Sequence, residues 1–258
     1  MQKSEYDRMD RLETSMWWYR GLHRLLVQAI GQALGAEERR RPALSAVPGS
    51  PPRRGLDAGC GTGGLLRALA QSPQGLTWFG VEIDPQAAAR AGAKSGWAVA
   101  AGSVEALPHG DGTFDIAVCA DVLSHALVDP ARALAELYRV LKPDGLLVLN
   151  LPAYPWLLSR HDRAVHNARR FTAGGMRAEL ARRGFVVRAS TYWNTLLFPL
   201  MLTRRLMPAR DNAKSDVVAY PRPIDATFSA ALGLERVWLR TGIGLPFGGS
   251  LLVVAQKK

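Results

Sequence analysis

Residues 55–64, GLDAGCGTGG, place five glycines and one carboxylate in ten positions. Glycine marks backbone that turns through positive φ or passes close to another group. Gly59, Gly61 and Gly64 fit the G-x-G-x-x-G spacing of a loop that wraps a nucleoside cofactor. The context is the required one: "RGLDAG" reads as a buried strand and "GGLLRALAQ" as a helix. Glu82 follows about 20 residues on, at the end of the strand "LTWFGVEID", where a carboxylate can accept hydrogen bonds from two ribose hydroxyls.

Asp57 discriminates between cofactors. NAD or FAD brings a pyrophosphate to such a loop, and a carboxylate beside it would repel that charge. S-adenosylmethionine (SAM) brings an ammonium and a sulfonium instead, and both favour a nearby carboxylate. Asp57 therefore predicts SAM, with Gly59 and Gly61 letting backbone approach its methionine part. Cys60 and Gly63 of the loop and Ile83 after Glu82 complete the nearby candidates.

Outward from the loop, strands and helices alternate. "PQAAARAGAKS" reads as a helix opened by Pro85, "WAVAAG" as a third strand and "FDIAVCA" as a fourth. "DPARALAELYRVLK" is a helix started by Asp129 and Pro130, and "GLLVLNLP" a fifth strand. "TAGGMRAELARRG" is a helix, and "FVVRAST" and "SLLVVAQK" are further strands. This order predicts an α/β fold with a doubly wound, mainly parallel sheet. Residues 1–35 form an N-terminal helical arm or lid, with Met9, Leu12, Met16, Tyr19, Leu22, Leu26 and Ile30 at helical spacing. Residues 36–54, rich in proline, read as a linker that separates the arm from the main core, and 55–258 as the cofactor domain. Segments 153–171 and 193–248 stand outside the alternation as acceptor-side insertions, the second one a helical insertion before the last strand.

The apolar fraction of 48% and mean hydropathy of −0.04 are those of a globular chain. No apolar run reaches the roughly 18 residues of a membrane span. The charged opening MQKSEYDRMDRLE lacks the apolar core of a signal peptide, so a cytoplasmic location is expected. Cys60 and Cys119 have no metal-ligand spacing, no His/Cys/Asp cluster predicts a metal, and both cysteines read as small apolar residues. The net charge of +11 is mostly arginine. It is compatible with an anionic partner or peripheral membrane contact. The arginines are scattered in pairs, not interleaved with aromatics, and no nucleic-acid partner is expected. A monomer or homodimer fits these features.

The motifs taken together resemble the class I, Rossmann-like SAM-dependent methyltransferases, in their small-molecule branch. The resemblance runs from GLDAGCGTGG through FGVEIDPQ to AGSVEALPHGDGTFDIAVCADVLSHALVDPARALAELYRVLKPDGLLVLNLPA. It implies a seven-stranded sheet whose last hairpin is antiparallel. It also implies that Glu82 holds the ribose, that Ser103, Val104 and Glu105 flank the adenine, and that the Ala120 carbonyl meets the methionine ammonium. The family usually has Asp where Ser103 stands, so the acceptor for the adenine amino group is either lost or supplied by Glu105. The ends, ETSMWWYRGLH, PAYPWLLSRHDRAVHNARRFT and LPFGGSLLVVAQK, resemble a mostly bacterial subgroup with no common substrate class.

Methyl transfer from a sulfonium needs positioning and water exclusion, with a general base when the acceptor is a hydroxyl or ring carbon. His166 and His161 after the fifth strand and His125 after the fourth are the candidate bases. Tyr154 and Trp156 read as an aromatic wall, and Arg170 as a bidentate partner for an acidic group on the acceptor. Trp17 and Trp18 diverge by about 100° on a helix, so the two cannot share one face. With Tyr19 they are candidates for the acceptor side, and Arg20 for the SAM carboxylate. The expected function is methylation of a small, hydrophobic or lipid-like metabolite. An RNA methyltransferase and a non-catalytic SAM-fold binding protein are the alternatives; ADVL stands where amino-methylating DNA enzymes carry a proline-proline-aromatic motif.

Overall fold

The computed structural model describes residues 3–40, 52–72, 75–159, 162, 166–206 and 220–258. Two helices open the chain, α1 (Lys3–Leu12) and α2 (Trp17–Arg40). The alternation follows as β1 (Arg53–Ala58), α3 (Gly64–Ala70), β2 (Leu76–Glu82), α4 (Pro85–Ser95), β3 (Ala98–Ala101), β4 (Phe114–Ala120), α5 (Pro130–Val140) and β5 (Leu141–Pro152). A short 3₁₀ turn (Pro155–Leu157), α6 (Ala173–Arg182), β6 (Phe185–Trp193), α7 (Phe198–Leu206), α8 (Arg222–Leu239) and β7 (Ser250–Lys257) complete it.

The seven strands form one sheet in the order β3-β2-β1-β4-β5-β7-β6. Strands β1 to β5 pair in parallel, and β7 runs antiparallel to both β5 and β6. The expected mainly parallel seven-stranded sheet with an antiparallel last hairpin is therefore present. Strand order reverses between β1 and β4, which makes their carboxyl ends the place for a ligand. Local chemistry sets the helix starts: Asp84 accepts from the N–H groups of Gln86 and Ala87, and Asp129 from that of Ala131, each followed by proline in the first turn.

Two cores flank the sheet. On one face Leu56, Phe114 and Leu149 pack with Leu134 and Leu137 of α5 and Met176 and Leu180 of α6. On the other, Trp78, Ile116 and Val118 pack with Leu65, Leu66 and Leu69 of α3 and with Leu22, Leu25, Leu26 and Ile30 of α2. The expected separation of arm and core is thus corrected: α2 is a layer of the core, because its apolar stripe covers a sheet face. The helical pattern also divides. The Trp17 N–H is bound by the Asp225 carboxylate of α8 (2.8 Å), which starts a new helix there. At the other end α2 continues to Arg40 through residues expected to be linker. Arg53 and Arg54 already belong to β1, and linker residues 41–51 lie outside the described residues.

Candidate active site

The glycine loop leaves β1 at the switch point and is pinned to β2 by the N–H groups of Gly59 and Cys60, both donating to the Val81 carbonyl (2.8 and 3.0 Å). Gly59 takes φ 84°, and a Cβ there would stand 2.4 Å from Val122 Cγ2. No other residue fits that position. Gly63 caps α3 with φ 92°. Asp57 is buried at the strand end, and its Oδ2 has no hydrogen-bond partner among the described residues. Burial, and next the neighbouring Glu82 and Glu13 carboxylates, push its pKa up to about 8. Asp121, just past β4, is pushed up to about 7 by burial, against the opposing pull of two hydrogen bonds from Asn150 Nδ2 (3.0 Å each) and of Arg170. Several carboxyl groups thus converge where a cation would relieve them.

Glu82 ends β2 as expected and is buried. Its carboxylate accepts from Gly61 N (2.9 Å), Asp84 N (3.2 Å) and, unexpectedly, the Tyr6 hydroxyl of α1 (2.6 Å). Helix α1 lies across the loop. Met9 stands over Gly61, where a Cβ would come within 2.7 Å of its Cε. Glu13 accepts from Thr62 Oγ1 (2.8 Å) and Gly64 N (3.0 Å). Lys94 of α4 pairs with Asp10 and Glu13, and Arg90 with Asp7 (2.6 Å). Tyr6 and Glu13 were not legible as site residues. Their partners lie 76 and 49 positions away, and only the helical stripe hinted that this face meets something.

Around the rim, Val104 is buried, Ile83 is 66% exposed, and Ala120 is half-buried at the end of β4. Ser103 Oγ accepts from the Glu105 N–H (3.1 Å). The Glu105 carboxylate, expected as acceptor for an adenine amino group, accepts from Asp129 N (2.7 Å) and faces Arg132, at the start of α5.

On the acceptor side the structure brings His125 and His166 together, ring centroids 5.8 Å apart, and sets His166 Nε2 3.8 Å from the Glu5 carboxylate of α1. The His125 Nδ1 accepts from Leu127 N (3.3 Å), which places the proton on Nε2. Burial first, then nearby positive groups, lowers the pKa of this imidazole. His161 lies outside the described residues. Tyr154 stacks on Tyr192 (4.9 Å, 15°) with Phe198 and Trp156 beside it, an aromatic cluster in which Trp156 is 62% exposed.

Several expected roles need correction. Arg170 is buried and committed: it donates to Asp162 Oδ1 (2.7 and 3.0 Å) and to the Ala153 carbonyl (2.9 Å), clamping its own segment. Arg20, expected to meet the SAM carboxylate, pairs with Asp225 and Ser229 of α8. Trp17 packs edge-on against Phe228, and Trp18 stacks on Trp193 (4.9 Å, 10°). Trp193 in turn donates from Nε1 to Asn150 Oδ1 (2.8 Å). The two indoles therefore dock α2, whereas Tyr19 turns toward the acids: burial, then Glu13 and Asp121, push its phenol pKa up. Among the described residues no cluster of metal-ligating side chains occurs.

Residues 56–149 match the family described as "Methyltransferase domain". An "uncharacterized methyltransferase" of Mycobacterium leprae is 31% identical over 180 residues, covering 67% of this chain and 64% of that protein. The 24-methylenesterol C-methyltransferase 2 of Oryza sativa is 34% identical over 151 residues, covering 52% and 39%. The chain thus spans less than two thirds of either relative. Among solved structures, a geranyl diphosphate methyltransferase in complex with GPP and sinefungin shares the fold at 16% identity, with a TM-score of 0.55 and coverage of 82% and 74%.

Proposed function

We propose that this chain, whose residues 56–149 match the family described as a methyltransferase domain, transfers a methyl group from SAM to a small, hydrophobic or lipid-like acceptor. One observation carries the cofactor reading. Asp57 is buried and unpartnered at Oδ2 among the described residues, and burial first, then the neighbouring Glu82 and Glu13 carboxylates, push its pKa up to about 8. Such a group fits a ligand that brings positive charge. In this reading Asp57 faces the ammonium, Glu82 takes the ribose hydroxyls after Tyr6 yields or shifts, and Ser103 and Val104 border the adenine.

Bound there, SAM supplies a methyl group already activated on sulfur, so the protein's work is to position the acceptor and exclude water. Tyr154, Tyr192 and Phe198 offer an aromatic wall for an apolar body. His166 is the better placed base: His125 carries its proton on Nε2 and can only donate from there. The rice relative, named for a sterol, is in keeping with an apolar acceptor. A panel assay with methyl-labelled SAM tests the proposal, using sterols, prenyl compounds and fatty acids alongside polar amines and bulk RNA. Label extracted into organic solvent is the expected result. Label confined to RNA or to polar amines would contradict it.

A further inference from the structure

Helix α8 carries its polarity in an unusual sense. Leu232, Glu235 and Leu239 turn inward, the glutamate buried among them. Ala226, Ala230, Leu234, Val237 and Trp238 are exposed, and the helical repeat gathers them into one outward stripe about 120° wide. Leu234 is 67% exposed and Trp238 50%. The stripe is not isolated. The Leu196 N–H donates to Glu235 Oε1 (2.6 Å), which sets Leu196, itself 54% exposed, beside α8. Among the described residues every exposed large apolar side chain except Ile83 and Leu127 lies in segments 153–171 and 193–248. The exposed apolar side chains are therefore concentrated in these two segments.

One flank of the stripe is basic. Arg222, Arg236 and Arg240 occupy adjacent positions on the helical wheel, and Arg24 of α2 is near enough to act electrostatically on Arg236. An apolar face bordered by arginines, with a tryptophan at its edge, is the composition of a helix that lies in a lipid headgroup layer. A second copy fits the face poorly, because a two-fold contact would set the arginine flanks of two chains, each of net charge +11, close together.

We propose that the outward face of α8 docks on an anionic phospholipid bilayer, with Leu234, Val237 and Trp238 entering the boundary between headgroups and acyl chains and Arg222, Arg236 and Arg240 meeting lipid phosphates. Such docking engages the segment 193–248 through α8. It does not depend on which acceptor is methylated, and SAM titration of the same samples reports separately on the proposed function.

Co-sedimentation of the full chain with vesicles tests this, using phosphatidylcholine alone and phosphatidylcholine with phosphatidylglycerol. Binding to the anionic vesicles should fall as salt rises and be at least about tenfold stronger than to neutral ones. Leu234→Ser combined with Trp238→Ser should lower it about tenfold or more, with the melting temperature and SAM affinity kept. Arg236→Gln with Arg240→Gln should weaken anionic binding about tenfold and leave the neutral vesicles unaffected. The proposal is overturned if the protein stays in the supernatant with both vesicles, or if the double variants sediment like the original. It is equally overturned if sedimentation velocity shows a concentration-dependent dimer that Leu234→Ser with Trp238→Ser dissolves.

Discussion

Asp57 lies at the end of β1 with Glu82 and Glu13 as neighbours, and its pKa of about 8 has consequences that can be signed. In the unfolded chain it titrates near pH 4, so between about pH 4 and 8 the folded state holds a proton that the unfolded state has lost. Its contribution to stability is full below that window and is lost as pH rises through it. Cation binding has the opposite preference, because a cationic ligand favours the carboxylate. SAM affinity should therefore rise from pH 6 to about 8.5, by at most about tenfold per pH unit for one proton released. Asp121, pushed to about 7, shares the window. Asp57→Asn should thus reduce the slope without abolishing it, as calorimetry across that range would read. Arg170 gives a different prediction. Removing one member of its buried pair with Asp162 strands the other charge at a cost of about 3–5 kcal/mol. Arg170→Ala should lower the melting temperature sharply, and an unchanged melt with a raised acceptor KM would return it to substrate binding.

The strands and the helices between them were legible because each carries its own signal: short apolar runs for β1, β2, β4 and β5, and Asp-Pro starts for α4 and α5. The glycine loop and Glu82 were legible for the same reason, since their spacing is local. What a face touches is not local. The stripe of α2 announced a buried surface but not that Leu25, Leu26 and Ile30 would complete the main core. Nor did it announce that α1 would reach back to Tyr6–Glu82 and Glu13–Thr62. Arg20 and Arg170 read as ligand-binding residues because a sequence shows a charge without its partner; Asp225 is 205 positions from Arg20. The two arm helices therefore make separable predictions. Deleting residues 1–12 removes a cover held mainly by polar contacts, and the remaining chain should melt as a folded domain while releasing SAM several-fold faster in stopped-flow fluorescence. Deleting residues 1–34 uncovers a sheet face lined by Trp78, Ile116 and Val118 and should yield aggregate in size-exclusion chromatography.

At the scale of the whole molecule, the sheet order places the glycine loop, Glu82 and the β4 end at one edge, with α1 across them and the aromatic insertions beyond. The composition gave the charge and the apolar fraction but not their distribution, because exposure of α8's outward stripe depends on which of its faces packs on α2. The account turns on whether the carboxyls at that edge make a SAM site. Calorimetric titration of the purified full chain at pH 8 with SAM, with S-adenosylhomocysteine and with NADH, repeated on Glu82→Ala, measures this directly. Glu82 makes charge-assisted hydrogen bonds worth roughly 1.5–3 kcal/mol each, so its loss should weaken SAM at least about tenfold. The account predicts micromolar binding of SAM and of its demethylated product, weakened in this way by Glu82→Ala in a variant that stays folded. Binding of NADH without SAM, or SAM binding indifferent to Glu82, would contradict it.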